Sequence, residues 1–424
     1  MRKMLNKEFV LAVSHGDYTK GAGGTDKVIL AHQGLLNENG KSLVHICPWS
    51  MKGILKKKIW LVHIDGEEIG TFTNKRLINY LQLLLFRGYS LIDIFIHHLK
   101  DISIIDLKKL LDKFEVPIYF YLHDYFSICP FAGLVDSEGN YCGSGFPNKE
   151  KCANCTHIIN ADEKRTEEIK EMFFSFSNRL QFIAPSDNTK ENWIKDYPQY
   201  KDKVRVIYHQ TFVGVYTGNS DKINDDGMIR IAFVGYQRRH KGWEEWKKAV
   251  NSNKGNCNYE FYQFGWGNEQ LKNCKQVVVD FKEDLNAMIY ALRNNKIHCA
   301  VIWSMLPETY SYTYYEALAA NCFIITTPYS GNVCYQTKTR KNGIVAEDLV
   351  NILKNDNILR DRINQYRTNG HSTPDKLVEN IELITLLTSH KQYISEKPKV
   401  IFDYSNFLTI FRKAKNKIKA IRKK

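Results

Sequence analysis

The stretch that decides the fold reads Leu306-Pro307-Glu308-Thr309-Tyr310-Ser311-Tyr312-Thr313-Tyr314-Tyr315-Glu316-Ala317-Leu318-Ala319-Ala320. Pro307 disfavours a helix before it, Ser311 is a good N-cap residue and Asn321 suits a helix end, so a short helix is predicted from Tyr312 to Ala320. The first backbone N–H groups of that helix have no partner within it, and such a helix start favours a phosphate group.

Two glutamates flank this helix start. Glu308 precedes it, and Glu316 lies about one and a half turns into the helix. Carboxylates accept hydrogen bonds from sugar hydroxyls, so two of them beside a phosphate cradle suit a ligand that carries hydroxyls next to its phosphates. A nucleotide sugar is such a ligand.

Length and composition indicate a globular protein of two domains. The chain has 424 residues, of which 43% are apolar and 12% aromatic, which excludes a disordered protein. The net charge of +14 prompts a nucleic-acid hypothesis, but eight lysines and arginines lie in the last fourteen residues, and their removal would leave +6. Nucleic acid would need a basic face with stacking aromatic residues, so the charge pattern favours an anionic substrate or lipid surface instead.

The sequence predicts a cytoplasmic protein. The apolar run Phe9–Val13 is too short for a secretory signal and is interpreted as a first β-strand. No run approaches the roughly 18 apolar residues that span a bilayer. Ten cysteines without a signal sequence indicate a reducing compartment.

The first half alternates short β-rich runs with helices, which predicts a parallel sheet in a Rossmann-like domain over residues 1–208. Gly23 and Gly24 belong to a glycine-rich loop after the first strand, where a ligand could approach the backbone closely. A merely flexible loop is the competing interpretation, because the spacing is not a full dinucleotide fingerprint. The polar residues 209–228 predict a linker.

Two predicted strands of this domain end in polar pairs, His97-His98 and His123-Asp124. Open α/β sheets bind ligands at the carboxyl ends of their strands. A solitary histidine is usually structural, but two such strand ends beside a glycine loop make a ligand contact an equal alternative. We expect His123 to be the better candidate, because Asp124 follows it.

Four cysteines cluster in one loop-like region: Cys129, Cys142, Cys152 and Cys155. Thiolates at this spacing, with a closing Cys-x-x-Cys, fit a closed structural zinc site. Ordinary free thiols, or a redox or disulfide pair, are the alternatives.

Residues 229–390 are predicted to form a second doubly wound sheet. Its first strand ends at Gly235, and Arg238, Arg239 and Lys241 follow before a helix start. A solvated basic loop is the alternative, but the Ser311 helix start in the same domain favours phosphate binding, with Lys241 and Arg239 as the preferred cations. Residues 346–387 are predicted to be helical.

Residues 391–424 are predicted to form a return helix with a basic tail. Apolar residues beside the Lys/Arg run predict an interfacial helix on anionic lipid; they are Phe402, Phe407, Leu408, Ile410 and Phe411. In the competing interpretation the helix packs on the first domain and the tail is solvated. Both interpretations are compatible if the aromatic part of the helix packs on the first domain and the basic end binds lipid.

Taken together, these motifs resemble the GT-B glycosyltransferases of the retaining family 4 (group 1) type, from Gly23-Gly24 through Asn342-Gly343. The most specific element is Glu308-x7-Glu316. The supporting motifs are Phe233-Val234-Gly235 with Lys241-Gly242, His123-Asp124-Tyr125 with Cys129-Pro130, Pro185-Ser186, and Thr327-Pro328-Tyr329-Ser330-Gly331.

The resemblance implies a hexosyltransferase-type enzyme that moves a sugar from a nucleotide-diphosphate donor to a glycan or lipid-linked acceptor, in cell-surface polysaccharide or glycoconjugate synthesis. It implies that Glu316 holds the ribose and Glu308 the transferred sugar, while His123 lies against that sugar. The diphosphate would bind Lys241 and the backbone near Tyr310, Ser311, Tyr312 and Thr313, and no catalytic cofactor is implied.

Two residues depart from the family pattern. Tyr236 stands where the family has an arginine, so either Arg238 or Arg239 replaces it or the phosphate site is weaker. Ser311 stands where the family has a glycine. The rival functions are a catalytically inactive nucleotide-sugar-binding module and a nucleotide-sugar epimerase of the same fold.

Overall fold

The computed structural model describes residues 5–21, 23–50, 59–138, 141–143, 152–156, 164–216, 223, 227–280, 284–368, 373–387 and 394–421. The apolar runs of the first half form the strands β1 Glu8–Val13, β2 Lys41–Trp49, β3 Ile59–Ile64, β4 Glu67–Phe72, β5 Ser90–Ile96, β6 Ile118–Tyr121, β7 Leu180–Ala184 and β8 Val204–Val206. The helices between them are α1 Gly24–Glu38, α2 Asn74–Phe86, α3 Ile104–Leu111, α4 Lys164–Ser175 and α5 Asp187–Asp196.

These strands form one sheet in the order β4-β3-β2-β1-β5-β6-β7-β8. The sheet is parallel except at one edge, where β3 runs antiparallel to both β2 and β4. The expectation of a wholly parallel sheet was wrong there, because Asp65-Gly66 forms a tight hairpin. Both residues have positive φ, 47° and 85°, as a two-residue turn of the I′ type requires.

The remaining strands are β9 Gln210–Val213, β10 Ile229–Val234, β11 Tyr259–Phe264, β12 Cys274–Val277, β13 Cys299–Ile302, β14 Phe323–Thr326, β15 Gly343–Val345 and β16 Lys376–Glu379. The remaining helices are α6 Trp243–Ser252, α7 Ala287–Asn294, α8 Tyr312–Ala319, α9 Asn332–Arg340, α10 Leu349–Leu353, α11 Asp356–Thr368, α12 Glu382–Thr385 and α13 Tyr404–Ile421. A second, wholly parallel sheet has the order β12-β11-β10-β13-β14-β15.

A third, two-stranded sheet pairs β9 antiparallel with β16. The expectation that residues 346–387 are helical was therefore wrong at 376–379. The predicted linker also contains a strand, β9, whose partner lies more than 160 residues later in the chain. A strand that depends on so distant a partner has little local signature. The proposed division at residues 209–228 stays a prediction.

The C-terminal helix α13 lies against the edge strand β4. The Thr71 N–H donates to Thr409 Oγ1 over 2.9 Å, and Arg412 Nε donates to Glu68 Oε1 over 2.9 Å. The helix thus packs through a polar face, contrary to the expectation that its aromatic part would pack. Among the described residues, no helix is both long and apolar enough to cross a membrane.

Candidate active site

The helix start at Ser311 lies beside a cleft between the two large sheets. Helix α8 begins at Tyr312 as predicted, but Ser311 does not cap it with its side chain, because its Oγ lies 3.1 Å from Thr313 Oγ1. The backbone of Ser311 has φ 72° and ψ 90°, a conformation that favours glycine. A serine in this conformation costs backbone strain.

Glu308 and Lys241 form an ion pair at the wall of the cleft. Lys241 Nζ contacts Glu308 Oε1, and about a third of the Lys241 side chain is exposed. Burial raises the pKa of Glu308, but the Lys241 charge and hydrogen bond outweigh that effect and hold the pKa below its usual value. Glu308 is therefore an ionised hydrogen-bond acceptor at neutral pH.

The position of Glu308 is fixed by the chain around Gly331. The Asn332 N–H donates to the Glu308 carbonyl over 2.8 Å, and Gly331 has φ 60°. A Cβ at Gly331 would lie 2.7 Å from Glu308 N and O. Only glycine allows this close approach, which explains the Ser330-Gly331 motif.

Glu316 lies on α8, only 2% exposed. Burial raises its pKa to about 7, and the charge of Lys27 opposes that shift. Within the described residues, Glu316 Oε2 has no hydrogen-bond partner. A buried acceptor without a partner is costly, so this oxygen is suited to a ligand hydroxyl.

His123 reaches the cleft from the end of β6. Its Nε2 lies 2.9 Å from His97 Nδ1, and the two rings stack with centroids 5.2 Å apart. Burial and the neighbouring His209 hold its pKa well below the usual value, so His123 is neutral. Asp124, which follows His123, is paired with another histidine: its Oδ2 lies 2.7 Å from His98 Nε2.

The two walls of the cleft are in direct contact through Thr309. Its hydroxyl donates to the His123 carbonyl over 2.6 Å, and the Ser186 hydroxyl donates to the Thr309 carbonyl over 2.6 Å. Ser186 also caps α5 by accepting from the Thr189 N–H. These bonds hold the segment before α8 against the first sheet.

The cleft contains a cavity of about 410 Å³. It brings together most of the residues singled out in the sequence: Gly23, Gly24, His123, Gly235, Lys241, Glu308, Tyr310, Ser311, Tyr312, Thr313 and Glu316. In the described part of the chain, neither Arg238 nor Arg239 lines it, and both are exposed. Residues 239–241 form a 3₁₀ turn, in which successive side chains point about 120° apart. Of Arg239, His240 and Lys241, Lys241 is therefore the residue that lines the cavity.

Sequence reasoning missed several residues of the cavity. Lys27 and Thr25 follow the glycine loop, Trp266 follows β11, and His209 precedes β9. His209 had the same signal as His123, since it lies soon after strand β8, but it fell in the stretch interpreted as a linker. Lys27 had the signal of a cation one turn after the glycine loop.

The four clustered cysteines lie within the described residues. Burial raises the pKa of the Cys129 thiol, and the neighbouring Cys152 and Cys155 contribute to the shift. Among the residues described, no three His, Cys, Asp or Glu side chains form a group that could hold a metal ion. The zinc site on Cys129, Cys142, Cys152 and Cys155 stays a prediction.

Comparisons with known proteins bear on the fold. No family model and no curated protein matches the chain. Among solved structures, Anabaena HepE in complex with UDP has a TM-score of 0.52 at 12% identity, over 85% of this chain and 93% of that one. HepE in complex with UDP-glucose has a TM-score of 0.50 at 13% identity, with the same coverage. The fold is GT-B. At this identity the likeness concerns the architecture: two Rossmann-like sheets that face a cleft.

Proposed function

We propose that the protein is a retaining glycosyltransferase that moves a sugar from a nucleotide-diphosphate donor to a glycan or lipid-linked acceptor. The observation that carries this proposal is the cavity itself. It collects two carboxylates, an ammonium group and a helix start from one wall, and a glycine loop and a neutral histidine from the other. The GT-B fold supports the proposal, and HepE, which has this fold, was solved with UDP-glucose.

Each donor group has a matching partner in this scheme. The ribose hydroxyls donate to Glu316, whose Oε2 is buried and unpartnered among the described residues. The sugar hydroxyls donate to Glu308, and His123 lies against the sugar. The diphosphate binds the first N–H groups of α8 and Lys241. Because Lys241 already contacts Glu308, its ammonium would bridge the sugar-binding carboxylate and the phosphate.

The chemistry follows from where charge develops. As the anomeric C–O bond breaks, positive charge grows on the sugar and negative charge on the departing diphosphate. Fixed N–H groups and the Lys241 ammonium stabilise the diphosphate. The acceptor hydroxyl attacks the anomeric carbon from the same face from which the leaving group departs, so the anomeric configuration is retained. An oxygen of the departing diphosphate takes the proton of that hydroxyl. No protein nucleophile is assigned.

Product analysis separates the proposal from its two rivals. We expect purified protein, given its donor and an acceptor extract, to release nucleoside diphosphate and form a glycosylated product. An inactive binding module would bind the donor without releasing diphosphate. An epimerase would yield an epimeric sugar with no dependence on acceptor, so either result would overturn the proposal.

We also propose that helix α13 lies on an anionic membrane at the cytoplasmic face. Its polar face contacts β4. Among the described residues, Phe407 and Ile410 on the helix are exposed by 79% and 68%, and Phe402, just before the helix, is exposed by 80%. Eight lysines and arginines follow in the last fourteen residues. Apolar side chains beside basic residues are typical of interfacial helices. A lipid-linked acceptor would suit this placement.

We further propose that the cysteine cluster binds a structural zinc ion. Thiolates of Cys129, Cys142, Cys152 and Cys155 would have to come closer together than they lie here. Metal analysis of the purified protein should give about one zinc per chain. A chain purified without chelator that holds no zinc would contradict this part.

A further inference from the structure

On the α8 wall, the end of the cavity that would bind the phosphates has few positively charged side chains. On the α8 wall, Lys241 is already engaged by Glu308, and position 236 carries a tyrosine. Arg238 and Arg239, expected to compensate, are exposed outside the described cavity lining. A diphosphate that loses its sugar gains charge, so a second cation at this end would stabilise the leaving group.

Lys27 reaches this end from the opposite wall. It lies on α1, three residues after Gly24, is half-buried and lines the cavity. Its Nζ lies 4.8 Å from the centre of the Tyr312 ring. Tyr312 is the first residue of α8, so the ammonium lies over an aromatic side chain of the helix start that would bind the diphosphate.

Carboxyl groups lie near Lys27 on both walls of the cavity. The nearest carboxylate on its own helix, Asp26, accepts from the Gly23 N–H over 3.0 Å and caps α1. On the other wall, Lys27 lies close enough to Glu316 and Glu379 to lower the pKa of each, although burial raises both to about 7. A diphosphate is more highly charged than a single carboxylate, so it would compete with these carboxyl groups for the Lys27 ammonium.

We propose that Lys27 is a phosphate-binding residue of the donor site, contributed by the wall opposite α8. This inference rests on the proposed function. The two walls then share the diphosphate, with Lys241 on one side and Lys27 on the other. Together the two ammonium groups would neutralise the negative charge that develops on the leaving diphosphate.

A counter-ion role is the competing account, in which Lys27 only neutralises Glu316 and Glu379. The two accounts differ in which part of the ligand is affected. A phosphate contact matters for a nucleoside diphosphate and not for the nucleoside. A counter-ion of Glu316 affects the ribose contact, and therefore both ligands equally.

The test uses UDP, GDP, ADP and dTDP with their nucleosides, titrated against the full chain by calorimetry. Lys27→Met keeps the aliphatic stem and removes the charge. We expect about tenfold or more loss of affinity for the diphosphate that the wild type binds, with nucleoside affinity unchanged. Lys27→Arg should restore part of the loss. The matched control is Lys20→Met, since Lys20 is 63% exposed and paired with Asp17.

Two results would overturn the inference alone: diphosphate affinity that is unchanged in Lys27→Met, or an equal loss for diphosphate and nucleoside. A wild-type protein that binds none of the four diphosphates would overturn the proposed function and this inference with it. An unchanged melting temperature of Lys27→Met shows that the loss is local.

Discussion

Glu316 links the burial of one side chain to the pH dependence of ligand binding. It is 2% exposed, and burial raises its pKa to about 7 against the opposing charge of Lys27. Because the folded-state pKa exceeds the ordinary value, the folded protein holds this proton more tightly than the unfolded chain. Stability therefore falls as the pH rises from the ordinary glutamate range to about 7.

We expect donor affinity to change in the opposite sense at this residue. Only the ionised carboxylate accepts from two ribose hydroxyls, so affinity for a nucleotide sugar should rise up to about tenfold between about pH 6 and 8. Glu316→Gln should abolish that rise, whereas Glu379→Gln, which removes the neighbouring group of similar pKa, should keep it. A flat wild-type profile, or a rise that survives in Glu316→Gln, would contradict this role.

At the scale of single elements, the turn that ends in Gly242 positions Lys241. Gly242 has φ 83°, and a Cβ there would lie 2.3 Å from the Trp303 carbonyl oxygen. We expect Gly242→Ala to cost about 2–5 kcal/mol of unfolding free energy and to weaken donor binding, because backbone strain adds to overpacking and β13 must move. Urea unfolding measures the first effect.

Gly255→Ala is the matched control. Gly255 has φ 89°, but a Cβ there meets open space. Strain alone should cost about 1–2 kcal/mol, with donor affinity unchanged. Equal losses of stability in the two variants would show that the close approach at Trp303 does not matter.

The elements themselves were largely predictable, since their signals are local. Helix α2 is an example, because Thr73 caps an amphipathic run over Asn74–Phe86. The β3–β4 hairpin was predictable too, since Asp65-Gly66 is a strong turn signal that the alternation of strands and helices obscured. The β9–β16 pair was not predictable, because each strand is stabilised by a partner distant in sequence.

The sequence predicted which residues line the cavity better than it predicted which of them contact one another. The sequence places Glu308, Glu316 and Lys241 in motifs, yet the contact between Lys241 and Glu308 joins residues 67 apart. Which of Arg238, Arg239 and Lys241 faces the cavity depends on the 3₁₀ turn and on Gly242. Lys27 becomes part of the site only because the two sheets face each other.

At the scale of the whole molecule, α13 reverses the usual orientation of an amphipathic helix. Hydrophobic periodicity predicts that the apolar face packs inward, but β4 offers Glu68 and Thr71, which pair with Arg412 and Thr409. Phe407 and Ile410 remain exposed on this helix. The interfacial helix that we propose would be anchored to the protein by this polar face.

We expect Phe407→Ser to weaken binding to vesicles that contain phosphatidylglycerol by roughly tenfold, because an inserted aromatic ring contributes on the order of 1.5 kcal/mol. Stability should not change, since Phe407 is 79% exposed. Phe174→Ser, at a 78% exposed site on α4, is the matched control and should bind as the wild type does. Equal vesicle binding by the wild type, Phe407→Ser and Phe174→Ser would show that α13 has only a structural role.

The central claim is that the cleft binds a nucleotide sugar through Glu316 and the start of α8. The most direct measurement is the melting temperature of the wild type and of Glu316→Ala against a panel of nucleotide sugars, since a ligand that binds the folded state raises it by mass action. We predict that at least one nucleotide sugar raises the wild-type melting temperature and that the same ligand has little effect on Glu316→Ala. A wild type that no nucleotide sugar stabilises, or equal shifts in the two proteins, would contradict the account.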